Sequence, residues 1–246
     1  MPQHLHASPI GAFSLAVFDW DGTIVDTTAA ISQSIQYACA KLGLAVPDAE
    51  VARSVIGLGW REAISIAAPE CRPSQWEAFS DAYVERYRVL EGEVMLFPGV
   101  EALLQSLQAA GVVLAVATGK SRPGLNRMLK LTGLERYFFT TQTADENPSK
   151  PDPGMLEQIE IETGISKEQT VMIGDTTHDL QMAANFGCRG VGVATGAMSW
   201  ETLSSFRPLA GAAGCHAVLA ELLGADAHIA APASAAQARK FIASAG

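Results

Sequence analysis

Asp19 and Asp21, two carboxylates one residue apart in "FDWDGTIVDT" (residues 18–27), follow directly on the apolar run 15–18. A buried strand that ends in two acids sets like charges against each other. Either a cation sits beside them or one acid keeps its proton. Both answers suit phosphoryl transfer. A magnesium ion held between Asp19 and Asp175, of "GDTTHD" (residues 174–179), would leave Asp19 ionised and able to attack phosphorus. Asp21, kept protonated, would donate to the leaving oxygen and then take a proton from the hydrolytic water. Thr118 and the N–H of Gly119, in "VATGK", are placed to hold a phosphoryl oxygen, and Lys150, in "NPSKPDP", to supply positive charge. Asp179, one helical turn past Asp175, would orient Lys150 or hold metal-bound water.

These residues are far apart in the chain, so strands must bring them together. The runs "LAVFDWDGT", "VVLAVATGK", "TVMIGDTTHD" and "GVGVATG" each lead an apolar segment into Gly, Asp or Thr, with helical patterns between them. Continuous apolar strands alternating with helices predict an α/β fold, a Rossmann-like parallel sheet covered on both faces. In such sheets the working residues lie at the carboxyl ends of the strands. Residues 100–110 and 180–186 read as helices closed by Gly111 and Gly187, and residues 137–140 as a weaker strand. From 27 to 96 the pattern is helical throughout, which predicts an all-helical module inserted after the first strand. The expected division is a discontinuous core (1–26 and 97–224), a helical cap (27–96) and an Ala-rich C-terminal tail (225–246).

Composition narrows the partners. Seventeen basic against twenty-six acidic side chains give a net charge of −9, which disfavours nucleic acid and anionic membranes as partners. No apolar run approaches the ~18 residues of a membrane span. The first basic residue is Lys41, and the four cysteines are scattered without metal-type spacing. A cytoplasmic protein with reduced thiols, monomeric or homodimeric, is the expectation. A small phosphorylated metabolite is the expected partner.

In order and spacing, "DWDGT", Thr118 in "VATGK", Lys150 in "SKPDP" and "GDTTHD" resemble the four motifs of the haloacid dehalogenase-like superfamily. The resemblance spans about residues 15–196 and includes a helical cap after the first motif. It implies Asp19 as nucleophile and magnesium ligand, and Asp21 as acid/base and as ligand through its carbonyl. It further implies Thr118 and Lys150 as phosphate-binding groups, Asp175 as the remaining metal ligand and Asp179 as a supporting acid. Within the superfamily the chain is most similar to the phosphoglycolate phosphatase group. The cap segment "SVIGLGWREAI" (residues 54–64) resembles that group's specificity loop, with Gly57 and Gly59 allowing close backbone approach to substrate and Arg53 beside them as a candidate for a substrate carboxylate. Trp20 stands where a smaller aliphatic residue is usual, and is expected to pack away from the substrate.

Other readings compete with these. His178 is expected to be a loop histidine, because magnesium prefers oxygen. Trp60, Trp76 and Tyr83 read as cap core before they read as a binding box. The leading function is a magnesium-dependent phosphatase working through an aspartyl phosphate. Its rivals are a haloacid dehalogenase, a phosphosugar mutase and, from another class, a phospho-acceptor signalling domain. Phosphoglycolate is the first substrate to consider, with sugar phosphates, nucleotides and pyrophosphate also open.

Overall fold

The computed structural model describes residues 13–206, 210–212, 218 and 222; the expected tail at 225–246 lies outside them. Six parallel strands form the main sheet: β1 (Leu15–Phe18), β4 (Val113–Thr118), β5 (Thr140–Thr143), β6 (Thr170–Gly174), β7 (Arg189–Val193) and β8 (Ala210–Ala212). Their order is β5-β4-β1-β6-β7-β8, which puts β1 in the interior between β4 and β6. Its apolar run is continuous because both faces of the strand are covered. Ala16 and Phe18 point to one face, with Leu114, Val116, Val171 and Ile173. Leu15 and Val17 point to the other, with Ala115, Ala117 and Met172.

Helices close both faces. On the first lie α5 (Val100–Ala109) and α6 (Arg122–Thr132), through Leu103, Leu104, Leu107, Leu125 and Met128. On the second lie α7 (Gly154–Thr163) and α8 (Thr177–Phe186), through Met155, Ile159, Met182 and Phe186. Trp20 is fully buried on the α5/α6 side, its ring 6.2 Å from that of Phe138. A short helix, α9 (Trp200–Ser204), follows β7.

Residues 28–90 form α1 (Thr28–Lys41), α2 (Ala49–Ser54), α3 (Trp60–Ala67) and α4 (Trp76–Leu90), around an apolar cluster of their own. Two short strands, β2 (Val25–Asp26) and β3 (Met95–Leu96), pair antiparallel where the chain leaves and re-enters the sheet domain. No sequence signal marked this two-residue ribbon.

The weak strand expected at 137–140 lies further on, at Thr140–Thr143. The aromatic residues that suggested it serve other purposes: Tyr137 closes a 3₁₀ turn and is buried, and Phe138 packs against the core. The strand itself is polar because it forms an edge of the sheet. Its inward-facing groups find partners, Gln142 donating to Glu162 (3.0 Å) and Thr143 to Asp145 (2.6 Å).

Candidate active site

The sheet delivers the acids to one edge. The backbone N–H of Asp19 donates to the carbonyl of Ile173 (2.9 Å), so the β1/β6 ladder runs one residue past β1 and fixes Asp19 at its end. Thr118 is the last residue of β4, and Asp175 follows β6 directly. Lys150 comes from the loop between β5 and α7. All four are buried. Asp179 is placed by a capping box at the start of α8: its N–H donates to Thr176 Oγ1 (3.4 Å), while its Oδ2 accepts from Thr176 N (3.1 Å) and Oγ1 (2.7 Å). That capping also explains why α8 begins three residues before the apolar pattern at 180.

Two of the three buried carboxylates, Asp19 and Asp179, face one ammonium. Lys150 Nζ donates to Asp179 Oδ1 (2.6 Å) and lies 2.7 Å from Asp19 Oδ1. The second contact is an ion pair without hydrogen-bond alignment, so both Asp19 oxygens are buried with no hydrogen-bond partner. Asp175 is better supplied, accepting from Thr23 Oγ1 (2.9 Å) at Oδ1 and from Ala197 N (2.7 Å) at Oδ2. Burial pushes the Asp19 carboxyl up to about 7 against the pull of Lys150, with Asp179 and Asp21 adding repulsion. Burial likewise raises Asp175, and repulsion from Asp19 and Asp179 adds to it. Lys150 is held above its ordinary value: burial works against its charge, but Asp179 and Asp19 outweigh it.

Carboxylate oxygens of Asp19, Asp175 and Asp179 lie within 4.8 Å of one another. A hard divalent cation fits this oxygen donor set and the orphaned oxygens of Asp19. Asp179 is the member already committed, to Lys150 and Thr176.

Asp21 has a partner that the sequence reading missed. Lys120 Nζ donates to both of its oxygens (2.8 and 3.0 Å), and Thr27 Oγ1 donates to Oδ1 (2.8 Å). Both Asp21 oxygens therefore face the Lys120 ammonium. Burial disfavours the Lys120 charge, but Asp21, Tyr87 and Tyr83 outweigh it and hold the amine above its usual range. The only signal for Lys120 was its position two residues after Thr118, where a lysine ordinarily reads as solvated. Thr118 Oγ1 accepts from the Lys120 N–H (3.2 Å), which sets the start of that loop.

The cap loop 55–59 presses on this edge. The Gly59 N–H donates to Ser149 Oγ (2.6 Å), beside Lys150. A Cβ at Gly119 would lie 2.5 Å from the Leu58 carbonyl oxygen and 2.6 Å from that of Gly57. Gly57 has φ +90°, a conformation open to glycine, and its Cα side faces Thr176. Both cap glycines therefore meet the core loops. Arg53 is exposed on α2 and does not line the cavity beside the site. His178 Nε2 lies 3.4 Å from the Ser54 carbonyl oxygen, a contact between α8 and the cap. That cavity, about 300 Å³, runs from Asp21, Gly119 and Lys120 into the helical module. Trp60 and Tyr83 line it as well as packing in the cap cluster, whereas Trp76 serves the cluster alone.

Residues 16–193 match the haloacid dehalogenase-like hydrolase family. The chain belongs to that family. "Probable phosphatase IndB" of Dickeya dadantii is 34% identical over 200 residues, 79% of this chain and 86% of that protein. A phosphoglycolate phosphatase of Agrobacterium fabrum is 30% identical over 188 residues, 74% of this chain and 81% of that one. In fold the chain is similar to a hydrolase from Pseudomonas syringae, with a TM-score of 0.78 at 21% identity, covering 84% of this chain and 96% of that one. Family hydrolases of the phosphatase type generally use a divalent metal, in keeping with the acidic cluster. Among the described residues no helix is long and apolar enough to cross a membrane.

Proposed function

We propose that this chain is a magnesium-dependent phosphatase that hydrolyses small phosphomonoesters through phosphorylation of Asp19. The observation that carries the reading is the Asp19 carboxylate, fully buried at a strand end, with neither oxygen hydrogen-bonded and Lys150 2.7 Å away. A carboxylate so placed keeps Oδ2, the oxygen not paired with Lys150, free for attack.

Asp19 attacks phosphorus, the bond from phosphorus to the ester oxygen breaks, and Asp21 delivers a proton to that oxygen, releasing an alcohol. Water then attacks the acyl phosphate, Asp21 takes the water's proton, and inorganic phosphate leaves with Asp19 restored. Lys120 must give up one oxygen of Asp21 before that oxygen can carry the proton. Thr118 and the Gly119 N–H hold phosphoryl oxygens, Lys150 faces the charge that builds there, and Asp179 keeps Lys150 in place. Asp19, Asp175 and the Asp21 carbonyl would hold magnesium. When bound, the ion would supply positive charge against the phosphoryl oxygens and the two carboxylates. The names of the relatives support small phosphorylated metabolites as the substrate class. Cys39, Cys71 and Cys188 are free thiols, which supports a cytoplasmic location.

The test is turnover of p-nitrophenyl phosphate with magnesium, in wild type and in Asp19→Asn. The variant is expected to lose at least about a thousandfold in kcat with its circular dichroism unchanged. It is also expected to lose the hydroxylamine-sensitive phosphoryl label that wild type acquires in a rapid acid quench. Near-normal turnover by Asp19→Asn would overturn the reading.

A further inference from the structure

Resting on the phosphatase reading, we infer that the alcohol released from the substrate is uncharged and mainly apolar, seated in the cavity between the cap helices and the sheet edge. The cavity of about 300 Å³ shares Asp21, Gly119 and Lys120 with the chemical site, so it begins where the leaving group must lie. At roughly 30 Å³ per water it has room for about ten waters, the size of a small ring with a short linker rather than of a two-carbon acid. Its deeper wall is apolar and aromatic, with Ile31, Ile35, Ile56, Trp60, Phe79 and Tyr83 among its members. Centroid to centroid, the Trp60 ring lies 5.6 Å from Phe79, tilted against it, and 5.7 Å from Tyr83, edge to face, which makes this part of the wall a packed aromatic cluster.

Charge inside the cavity argues the same way. A carboxylate or second phosphate on the leaving group would need a cation whose charge is not already taken. The two cations that line the cavity are both engaged: Lys120 with Asp21 and the Tyr87 hydroxyl (3.3 Å), Arg127 with both oxygens of Glu91 (2.9 Å each). A sugar would bring several hydroxyls against a wall made mostly of isoleucine, tryptophan, phenylalanine and other apolar groups, where Ser80, Ser121 and the tyrosine hydroxyls are too few to replace the water each hydroxyl would lose.

The experiment compares alkyl phosphates, so that intrinsic leaving-group reactivity does not decide the order. Wild type with magnesium is assayed on 2-phenylethyl phosphate, phosphoglycolate and glucose 6-phosphate, with acetyl phosphate as a reference that needs little of the cavity. We expect kcat/KM for 2-phenylethyl phosphate to exceed both other esters by at least about thirtyfold. Ser80→Phe, placed at a half-buried cavity position on α4, should fill the space. It should cut kcat/KM for 2-phenylethyl phosphate at least about tenfold, while acetyl phosphate changes less than about twofold. Should that variant fail to fold, competitive inhibition of wild type decides: 2-phenylethylphosphonate should bind at least about tenfold more tightly than phosphonoacetate. Acetyl phosphate turnover together with a preference for phosphoglycolate or glucose 6-phosphate would overturn the apolar leaving group and leave the phosphatase reading standing. No turnover of any of these phosphates, the acyl phosphate included, would overturn the phosphatase reading itself, and this inference with it.

Discussion

At the scale of single residues, the site is a place where the fold works against itself. Asp19, Asp175 and Asp179 are buried together, and among the described residues Lys150 is the cation paired with them, at Asp19 and Asp179. Burial, with added repulsion from Asp179 and Asp21, lifts the Asp19 carboxyl to about 7 against the pull of Lys150, so in the absence of metal the cheapest relief is a proton. The folded chain then holds that proton more tightly than the unfolded chain does. The stability it contributes is complete below pH ~4 and is lost as pH rises through about 7. Replacing Asp19 by Asn removes that loss. In EDTA, the melting temperature of Asp19→Asn should therefore gain on wild type steadily from pH 4 to 7, by differential scanning fluorimetry. With magnesium present the gap should shrink or reverse, because the cation takes over the proton's role and stabilises wild type by mass action. A gap independent of pH and of magnesium would show that the Asp19 charge is relieved in some other way.

Elements carry the next level, where loops from the sheet and the cap meet. A Cβ at Gly59 would lie 2.8 Å from both Ser149 Oγ and Glu62 Oε2. Gly59→Val must therefore push the cap away from the loop that carries Lys150. The expected result is a fall in kcat/KM of at least about a hundredfold, on small and large substrates alike. Ser149→Ala removes only the hydrogen bond from the Gly59 N–H and leaves the fit intact, so a loss of about fivefold, near 1 kcal/mol, is expected. Equal effects of the two substitutions in steady-state kinetics would show that contact geometry at Gly59 is unimportant. These contacts also mark the limit of what the sequence discloses. Strands that end in Asp19, Thr118 and Asp175 are legible, because a parallel strand buried on both faces has to be apolar until it reaches the edge. Gly57 and Gly59 announce close approach but not its object: Ser149 lies ninety residues from Gly59, and no local pattern links them. Lys120 was illegible for a similar reason, since its function rests on Asp21, ninety-nine residues away. The polar strand β5 carries no period of its own and is held by its neighbour β4.

For the molecule as a whole, the question is how two apolar clusters, one in the sheet and one in the cap, behave as one enzyme. The chain crosses between them twice, at the paired ribbon β2/β3, and Val94 beside that ribbon packs against both clusters. A further tie is ionic. Glu91, just past α4, has a nearly buried side chain, and both of its oxygens accept from Arg127 Nε on α6. Arg127 is about one-third exposed, so water screens the pair and its value falls well short of a fully buried one. Arg127→Met keeps the aliphatic stem against the cavity but leaves Glu91 without its cation. A loss of about 2 kcal/mol in urea unfolding is expected, most of it the cost of a shielded carboxylate left alone. Glu91→Gln combined with Arg127→Met removes that uncompensated charge. The double variant should therefore be more stable than the sum of the single losses predicts, by at least about 0.5 kcal/mol. If the pair also holds the cap at its working angle, KM for a cavity-filling ester should rise in both single variants while kcat for acetyl phosphate stays within about twofold. Strictly additive losses with unchanged KM would mean that the ribbon and Val94 alone set the cap, and that Arg127 and Glu91 are a surface pair with no part in closure.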